Sequence, residues 1–178
     1  MTKPAEDRIV AFYRHEAADH RGRTLRDIWT WDHDRLEMVH DYIQWVFPTP
    51  VRSQANPRAP FVSDATTRAF DSAPMRARLR KSLDRMLSFY GLRWRDGHAI
   101  EIDPVRFPAQ AETWLHAGNH NHLRLTRIMQ SLYALGLRGE AEALQRCLLD
   151  LCEGPGRDRV TPETRRFWAR ALQKPSFL

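Results

Sequence analysis

The segment 31–48 constrains the fold of this chain more than any other, because it holds a helix start, an apolar stripe and a helix stop in one run. Asp32 is a residue type that caps helix N-termini, and Pro48 cannot continue a helix. Between them, apolar residues recur at intervals of three and four, the spacing that buries one side of a helix. These residues are Leu36, Val39, Ile43 and Val46. The segment therefore predicts one amphipathic helix that starts after Asp32 and ends before Pro48.

Helical spacing also dominates the rest of the chain, after a short apolar segment at residues 9–13. Residue types that favour helix termini predict where the other helices start and end. The predicted starts are at Thr24, Ser63 or Asp64, Ser72, Asn119 or Asn121, and Thr161, and the predicted ends include Gly91, Gly136 and Gly154. The pattern therefore predicts a mainly α fold.

Two stretches depart from the helical pattern. An Asp96-Gly97 pair between short alternating segments favours a tight turn, so the sequence predicts one small β-hairpin near residues 92–102 as the only sheet. Prolines and polar residues from Thr49 to Pro60 predict a surface loop. Because 178 residues lie within the size range of one domain, we expect a single compact multi-helix domain over residues 1–178.

Charge and cysteine content narrow the functional classes. With 28 basic and 22 acidic residues the chain has a formal net charge of +6, which favours anionic partners. Acidic residues interrupt most basic segments, so a solvated charged surface explains this composition better than a nucleic-acid-binding stripe. No window approaches the roughly 18 consecutive apolar residues of a membrane-spanning helix. Cys147 and Cys152 lack partners for a zinc set or disulfide framework, and we therefore expect a soluble, cytoplasmic protein with reduced thiols.

Three sequence blocks carry a resemblance to a known family. They read His-Asp-Tyr-Ile-Gln-Trp-Val-Phe-Pro at residues 40–48, Met-Leu-Ser-Phe-Tyr-Gly-Leu at 86–92 and His-Asn-His-Leu-Arg-Leu-Thr-Arg-Ile at 120–128. In this order they resemble the His-x-Tyr-Ile-Gln-Trp-x-Phe-Pro, Leu-Gly-Phe-Tyr-Gly and His-Asn-Asn-Leu-Arg-Ile-Thr-Arg-Ile segments of the conserved domain of the opioid growth factor receptor family. With a fainter match at residues 12–14, the resemblance extends from about Arg8 to Leu151.

This resemblance implies a non-catalytic, ligand-binding role. The family takes its name from a non-classical receptor for an opioid peptide, which is associated with the nucleus and nuclear envelope, so the resemblance implies nuclear or peripheral membrane association in eukaryotic members. The implied partner is a peptide or a small anionic ligand. Two alternatives remain open. A nucleic-acid or phosphate-binding module predicts a contiguous basic face, and an uncharacterised enzyme predicts a deep polar pocket with converging titratable groups.

The aromatic residues of segment 31–48 admit two interpretations. On the predicted helix Tyr42 and Trp45 lie on one side, and Trp31 can close over the helix start. Such a cluster usually builds core, and the alternative is a peptide groove lined by rings. Four residues separate His40 from Gln44, so a shared helical face would give that groove paired polar anchors.

The stronger candidate for a binding site is an anion corner, consisting of His120, Asn121, Arg124 and Arg127. A helix N-terminus exposes backbone N–H groups, and two arginines beside it suit a carboxylate or phosphate. His40 and Gln44 are candidates for the opposite wall. The alternative is structural, with Asn121 as a cap and the arginines paired to acids elsewhere.

The sequence contains only weak or incomplete motifs for metal binding and catalysis. Glu37 and His40 have the Glu-x-x-His spacing of di-iron bundles, but a second such pair is missing. His116 and His120 are separated by Gly118, which argues against a shared helical face. No nucleophile elbow or glycine-rich phosphate loop appears. We therefore expect no metal, no cofactor and no catalytic residues.

Overall fold

The structure is a computed structural model that describes residues 5–52 and 59–173. Over these residues the protein is mainly helical with one two-stranded hairpin, which confirms the predicted fold class. The helices are α1 (Ala5–Tyr13), α2 (Leu25–Thr30), α3 (His33–Met38), α4 (Ile43–Val46), α5 (Asp64–Ala69), α6 (Ala73–Tyr90), α7 (Phe107–Trp114), α8 (Asn121–Ala134), α9 (Arg138–Glu153) and α10 (Pro162–Arg170), and the strands are β1 (Leu92–Arg95) and β2 (Ala99–Ile102).

The chain divides into two compact units. The N-terminal unit comprises residues 1–85 and 134–136, and the C-terminal unit comprises residues 86–133 and 137–178. A single domain over residues 1–178 therefore stays a prediction. No helix in the described part of the chain is long and apolar enough to cross a membrane.

Most of the predicted helix starts are confirmed, because the capping side chains accept hydrogen bonds from backbone amides one turn later. Thr24 and Asp27 form a reciprocal capping box at α2, and Asp32 accepts from the amide of Arg35 at the start of α3. Ser63 and Thr161 cap α5 and α10 in the same way. These caps accept hydrogen bonds from amides that would otherwise lack an acceptor. Because cap and amide are only three residues apart, the local sequence was enough to predict these helix starts.

The prediction of one continuous helix from Asp32 to Pro48 is wrong. The helix ends at Met38, Val39 adopts an extended conformation, and α4 begins only at Ile43. Between the two helices, Asp41 accepts a hydrogen bond from Arg23 at 2.8 Å and lies 3.0 Å from the imidazole of His20. We infer that these charge-assisted contacts with the preceding loop hold the connecting segment out of the helical conformation.

Aromatic side chains build the core of the N-terminal unit. The segment at residues 9–13, which carried no helix prediction, forms the second half of α1 and places Phe12 and Tyr13 in this core. Phe12 packs edge to face on Trp45 at 5.6 Å, and Tyr13 on Phe70 at 4.9 Å. The predicted loop from Thr49 to Pro60 is without helix or strand where it is described, and residues 53–58 of it lie outside the described part.

The C-terminal unit contains the predicted hairpin. β1 and β2 pair antiparallel, with Leu92 opposite Ile102 and Arg95 opposite Ala99. Asp96 and Gly97 both have positive φ, which is the conformation that favours an Asp-Gly turn.

Helices α8 and α9 bury one side each, and burial raises the pKa of the Cys147 thiol to about 12. Cys147 and Cys152 are both free and buried.

Candidate functional site

The predicted aromatic cluster is core, not groove. Trp31, Tyr42 and Trp45 are all buried, and the rings of Trp31 and Tyr42 meet edge to face at 5.3 Å. The indole nitrogen of Trp45 donates to Nδ1 of His20 at 3.0 Å. Because these rings face the interior of the unit, they stabilise the fold and do not line a peptide site.

His40 and Gln44 do not share a helical face, since His40 lies in the break between α3 and α4. His40 is exposed, whereas Gln44 is half-buried within α4. The same break removes the helical relation between Glu37 and His40 on which the metal spacing depended. The prediction of paired polar anchors on one helix is therefore wrong for this segment.

The helix start within the predicted anion corner has its amides satisfied by the chain itself. The amides of residues 121–124 donate to oxygens of Asn119 or His120 at 2.8–3.3 Å. The side chain of Asn119, one of the two predicted caps, accepts from the amide of Asn121. The backbone N–H groups at this helix start are therefore not free to bind an anion.

Two side chains of the anion corner are buried and contact each other. Arg124 donates to the amide oxygen of Asn121 at 3.3 Å, and the hydroxyl of Tyr90 donates to the same oxygen at 3.4 Å. His120 and Arg127 are half-buried, and burial lowers the pKa of Arg127. These contacts favour a structural network, while the anion corner as a ligand site stays a prediction.

The N-terminal unit contains an open pocket that the sequence did not predict. Its volume is about 650 Å³, within the range of small-molecule sites. We name it the cationic pocket, because four of its lining residues are basic. It is lined by His15, Arg26, Trp29, Thr30, Ala77, Arg78 and Lys81.

Three segments of the chain supply this lining. His15 follows α1, whereas Arg26 and Trp29 lie three residues apart on α2. Arg78 and Lys81 are also three apart, on α6, so each helix presents two of these side chains from one face. The pocket therefore forms only when these three segments pack together, and each segment contributes at least one basic side chain.

Trp29 forms a fixed aromatic wall of the cationic pocket. Its indole nitrogen donates to the hydroxyl of the buried Ser82 at 3.0 Å, and Ser82 in turn donates to the carbonyl of Arg78 at 3.1 Å. The Lys81 ammonium lies 4.3 Å from the Trp29 ring centroid, and the His15 ring meets it edge to face at 5.5 Å. These contacts hold the ring in place while leaving it half-exposed.

Positive charge is concentrated around His15. Burial lowers the pKa of His15, and the charges of Arg26, Arg78 and Lys81 lower it further. Its Nδ1 is buried and has no hydrogen-bond partner among the described residues. The backbone of His15 also has a positive φ of 64°, which is uncommon for a residue with a side chain.

No carboxylate in the described part of the chain pairs with the three permanent cations of the pocket. The guanidinium of Arg78 contacts the thioether of Met75 at 3.7 Å, and this contact supplies no negative charge. Like charges held together in this way repel one another, and an anion would relieve that repulsion. The arrangement can therefore bind a negatively charged group.

We expect no tightly bound metal in this protein. Residues 5–52 and 59–173 contain no group of three His, Cys, Asp or Glu side chains that could hold one. Treating the purified protein with a chelator should therefore leave its melting temperature unchanged. Stoichiometric zinc or iron in an elemental analysis would contradict this expectation.

Comparison with known proteins agrees with the three sequence blocks. The family model described as the opioid growth factor receptor (OGFr) conserved region matches residues 8–154. The chain belongs to the opioid growth factor receptor family. All lining residues of the cationic pocket and all residues of the anion corner fall within the matched region.

The chain spans less than a quarter of the length of three curated relatives that it matches. The chain is 33% identical to the opioid growth factor receptor of Homo sapiens over 146 residues, which is 79% of this chain and 21% of the relative. It is 32% identical to the Mus musculus receptor over 79% of the chain and 23% of the relative. The opioid growth factor receptor-like protein 1 of Xenopus tropicalis is 33% identical over 61% of the chain and 21% of that protein. No solved structure matches the chain.

Proposed function

We propose that this chain is a non-catalytic binding module whose ligand places an anionic group in the cationic pocket. The observation that carries the proposal is the convergence of Arg26, Arg78 and Lys81 on His15, with no described carboxylate to neutralise them. An anionic ligand supplies the missing countercharge, and the guanidinium groups can bind its oxygens through charge-assisted hydrogen bonds.

The names of the relatives support a binding role over a catalytic one, since the relatives from Homo sapiens and Mus musculus are called receptors. The pocket is also concave and has a rigid aromatic wall, which suits a small ligand or a peptide end better than the outside of a nucleic acid duplex. A peptide would enter through a carboxylate, either at its C-terminus or on an acidic side chain.

The test compares two locations for the anion site. Benzoate, which joins a carboxylate to a ring, is titrated into the parent by isothermal calorimetry. We expect Arg26→Gln/Arg78→Gln to weaken binding by about tenfold or more, because each charge-assisted hydrogen bond contributes about 1.5–3 kcal/mol. Arg68→Gln removes an exposed charge of the same unit outside the pocket and should bind as the parent does.

An Arg124→Gln/Arg127→Gln variant reports on the anion corner. If that variant loses benzoate binding at an unchanged melting temperature, while the pocket variant keeps it, the site lies at α8 and the cationic pocket is rejected. Binding that both double variants retain would reject both locations.

A further inference from the structure

We infer that the cationic pocket selects a small-molecule phosphomonoester, whose phosphate faces Arg26, Arg78 and Lys81 and whose organic group packs on Trp29. The inference rests on the proposed anion-binding function and specifies its ligand class. It draws on three features of the pocket, which are its charge, its donors and its aromatic wall.

The charge of the pocket exceeds what a monoanion can neutralise. Three permanent cations line it, and a single carboxylate or sulfate monoester would leave a net positive charge among them. A phosphomonoester carries a charge between about −1.5 and −2 near neutral pH, because its second pKa is about 6. Charge complementarity therefore favours the dianion over a monoanion of the same shape.

The donors of the pocket also suit a phosphate. The Arg26 guanidinium lies on α2, whereas the Arg78 guanidinium and the Lys81 ammonium lie on α6. Three cationic donor groups on two helices suit the three terminal oxygens of a phosphomonoester better than the planar pair of a carboxylate. His15 adds a ring nitrogen that is buried and lacks a described partner. Burial lowers the pKa of His15, and the charges of Arg26, Arg78 and Lys81 lower it further; a phosphate beside the ring would counteract those charges.

Trp29 gives the ligand a second contact. The volume of about 650 Å³ exceeds the needs of a lone phosphate, and the ring is held in place by Ser82 and left half-exposed. An apolar or planar group attached to the phosphate can cover this ring and remove apolar surface from water. This size and wall favour a small organic phosphate over inorganic phosphate.

The experiment compares ligands that differ in one property. Phenyl phosphate and phenyl sulfate have the same shape, but at about pH 7.5 the first is largely a dianion and the second a monoanion. We expect phenyl phosphate to bind the parent about tenfold or more tightly than phenyl sulfate or benzoate, and more tightly than inorganic phosphate. In Arg26→Gln/Arg78→Gln this preference should largely disappear, whereas Arg68→Gln should keep it.

A second readout follows the imidazole of His15 by NMR. On addition of phenyl phosphate we expect the pKa of His15 to rise, because the anion offsets the three surrounding cations. The imidazole of His116, which lies in the other unit and outside the pocket, serves as the internal reference. A ligand that binds elsewhere would leave the pKa of His15 unchanged and overturn the inference.

The outcomes separate the inference from the function on which it rests. If benzoate or phenyl sulfate binds the pocket as tightly as phenyl phosphate, the anion-binding function stands and the phosphomonoester is rejected. Tighter binding of a short DNA duplex, with its singly charged diesters and steep salt dependence, would also reject the phosphomonoester. If none of these anions binds the parent, both proposals fail.

Discussion

Replacing Trp45 with alanine is expected to lower the free energy of unfolding by about 3–5 kcal/mol, the usual range for deleting a large buried aromatic side chain. Trp45 is 2% exposed, and it packs edge to face on Phe12 at 5.6 Å. Its indole nitrogen also donates to His20 at 3.0 Å, so the substitution removes both packing and a hydrogen bond. Urea denaturation followed by circular dichroism would measure the change.

Trp45→Phe is the matched control for this prediction. Phenylalanine keeps an aromatic ring against Phe12 but cannot donate to His20, so we expect a smaller loss of about 1–2 kcal/mol. A Trp45→Ala variant that melts at the temperature of the parent would show that this side chain is not central to the core.

Local sequence was sufficient to predict the structural features that depend on residues close together in the chain. The Thr24 and Asp32 caps, the Asp96-Gly97 turn and the apolar side of α8 each involve residues within about one or two turns of each other. The hydrogen bonds and conformational preferences that decide such features are contained in short segments. This explains why most helix starts and the hairpin were predicted correctly.

Segment 31–48 shows where local sequence fails. Its apolar spacing is that of one helix, and Leu36, Ile43 and Val46 are indeed buried. The break at residues 39–42 coincides with contacts of Asp41 to Arg23 and His20, which lie 18 and 21 residues before Asp41 in the chain. Burial alone would raise the pKa of Asp41, but its contacts with Arg23 and His20 outweigh that effect and lower the pKa. Such pairing is tertiary, so no periodicity in the sequence reveals it.

The same difference between local and tertiary contacts separates the two candidate sites. The anion corner was suggested by a run of polar residues at a predicted helix start, and the structure shows most of that start satisfied by nearby oxygens. The cationic pocket combines residues from three separate segments of the chain, between His15 and Lys81. A sequence signal did exist, since Arg78 and Lys81 share one face of α6, but nothing local indicates that His15 and α2 meet that face.

Gly91→Ala is expected to lower the free energy of unfolding by about 2–5 kcal/mol, through two separate costs. Gly91 has φ +71° at the junction of α6 and β1, and a side chain in this conformation costs about 1–2 kcal/mol. A Cβ there would also lie 2.6 Å from the Cα of Phe107, which is backbone and cannot move aside as a flexible side chain would. Overpacking of this kind typically costs a further 1–3 kcal/mol or so.

Gly97→Ala separates these two costs, because Gly97 has nearly the same φ, +75°, and a Cβ there meets no atom within 4 Å. We expect it to lose only the conformational part, about 1–2 kcal/mol. The difference between the two variants, measured by urea denaturation, isolates the clash with the start of α7. Equal losses would mean that α7 shifts to accommodate the methyl group, and that the close approach of Gly91 to Phe107 is not required for the stability of the C-terminal unit.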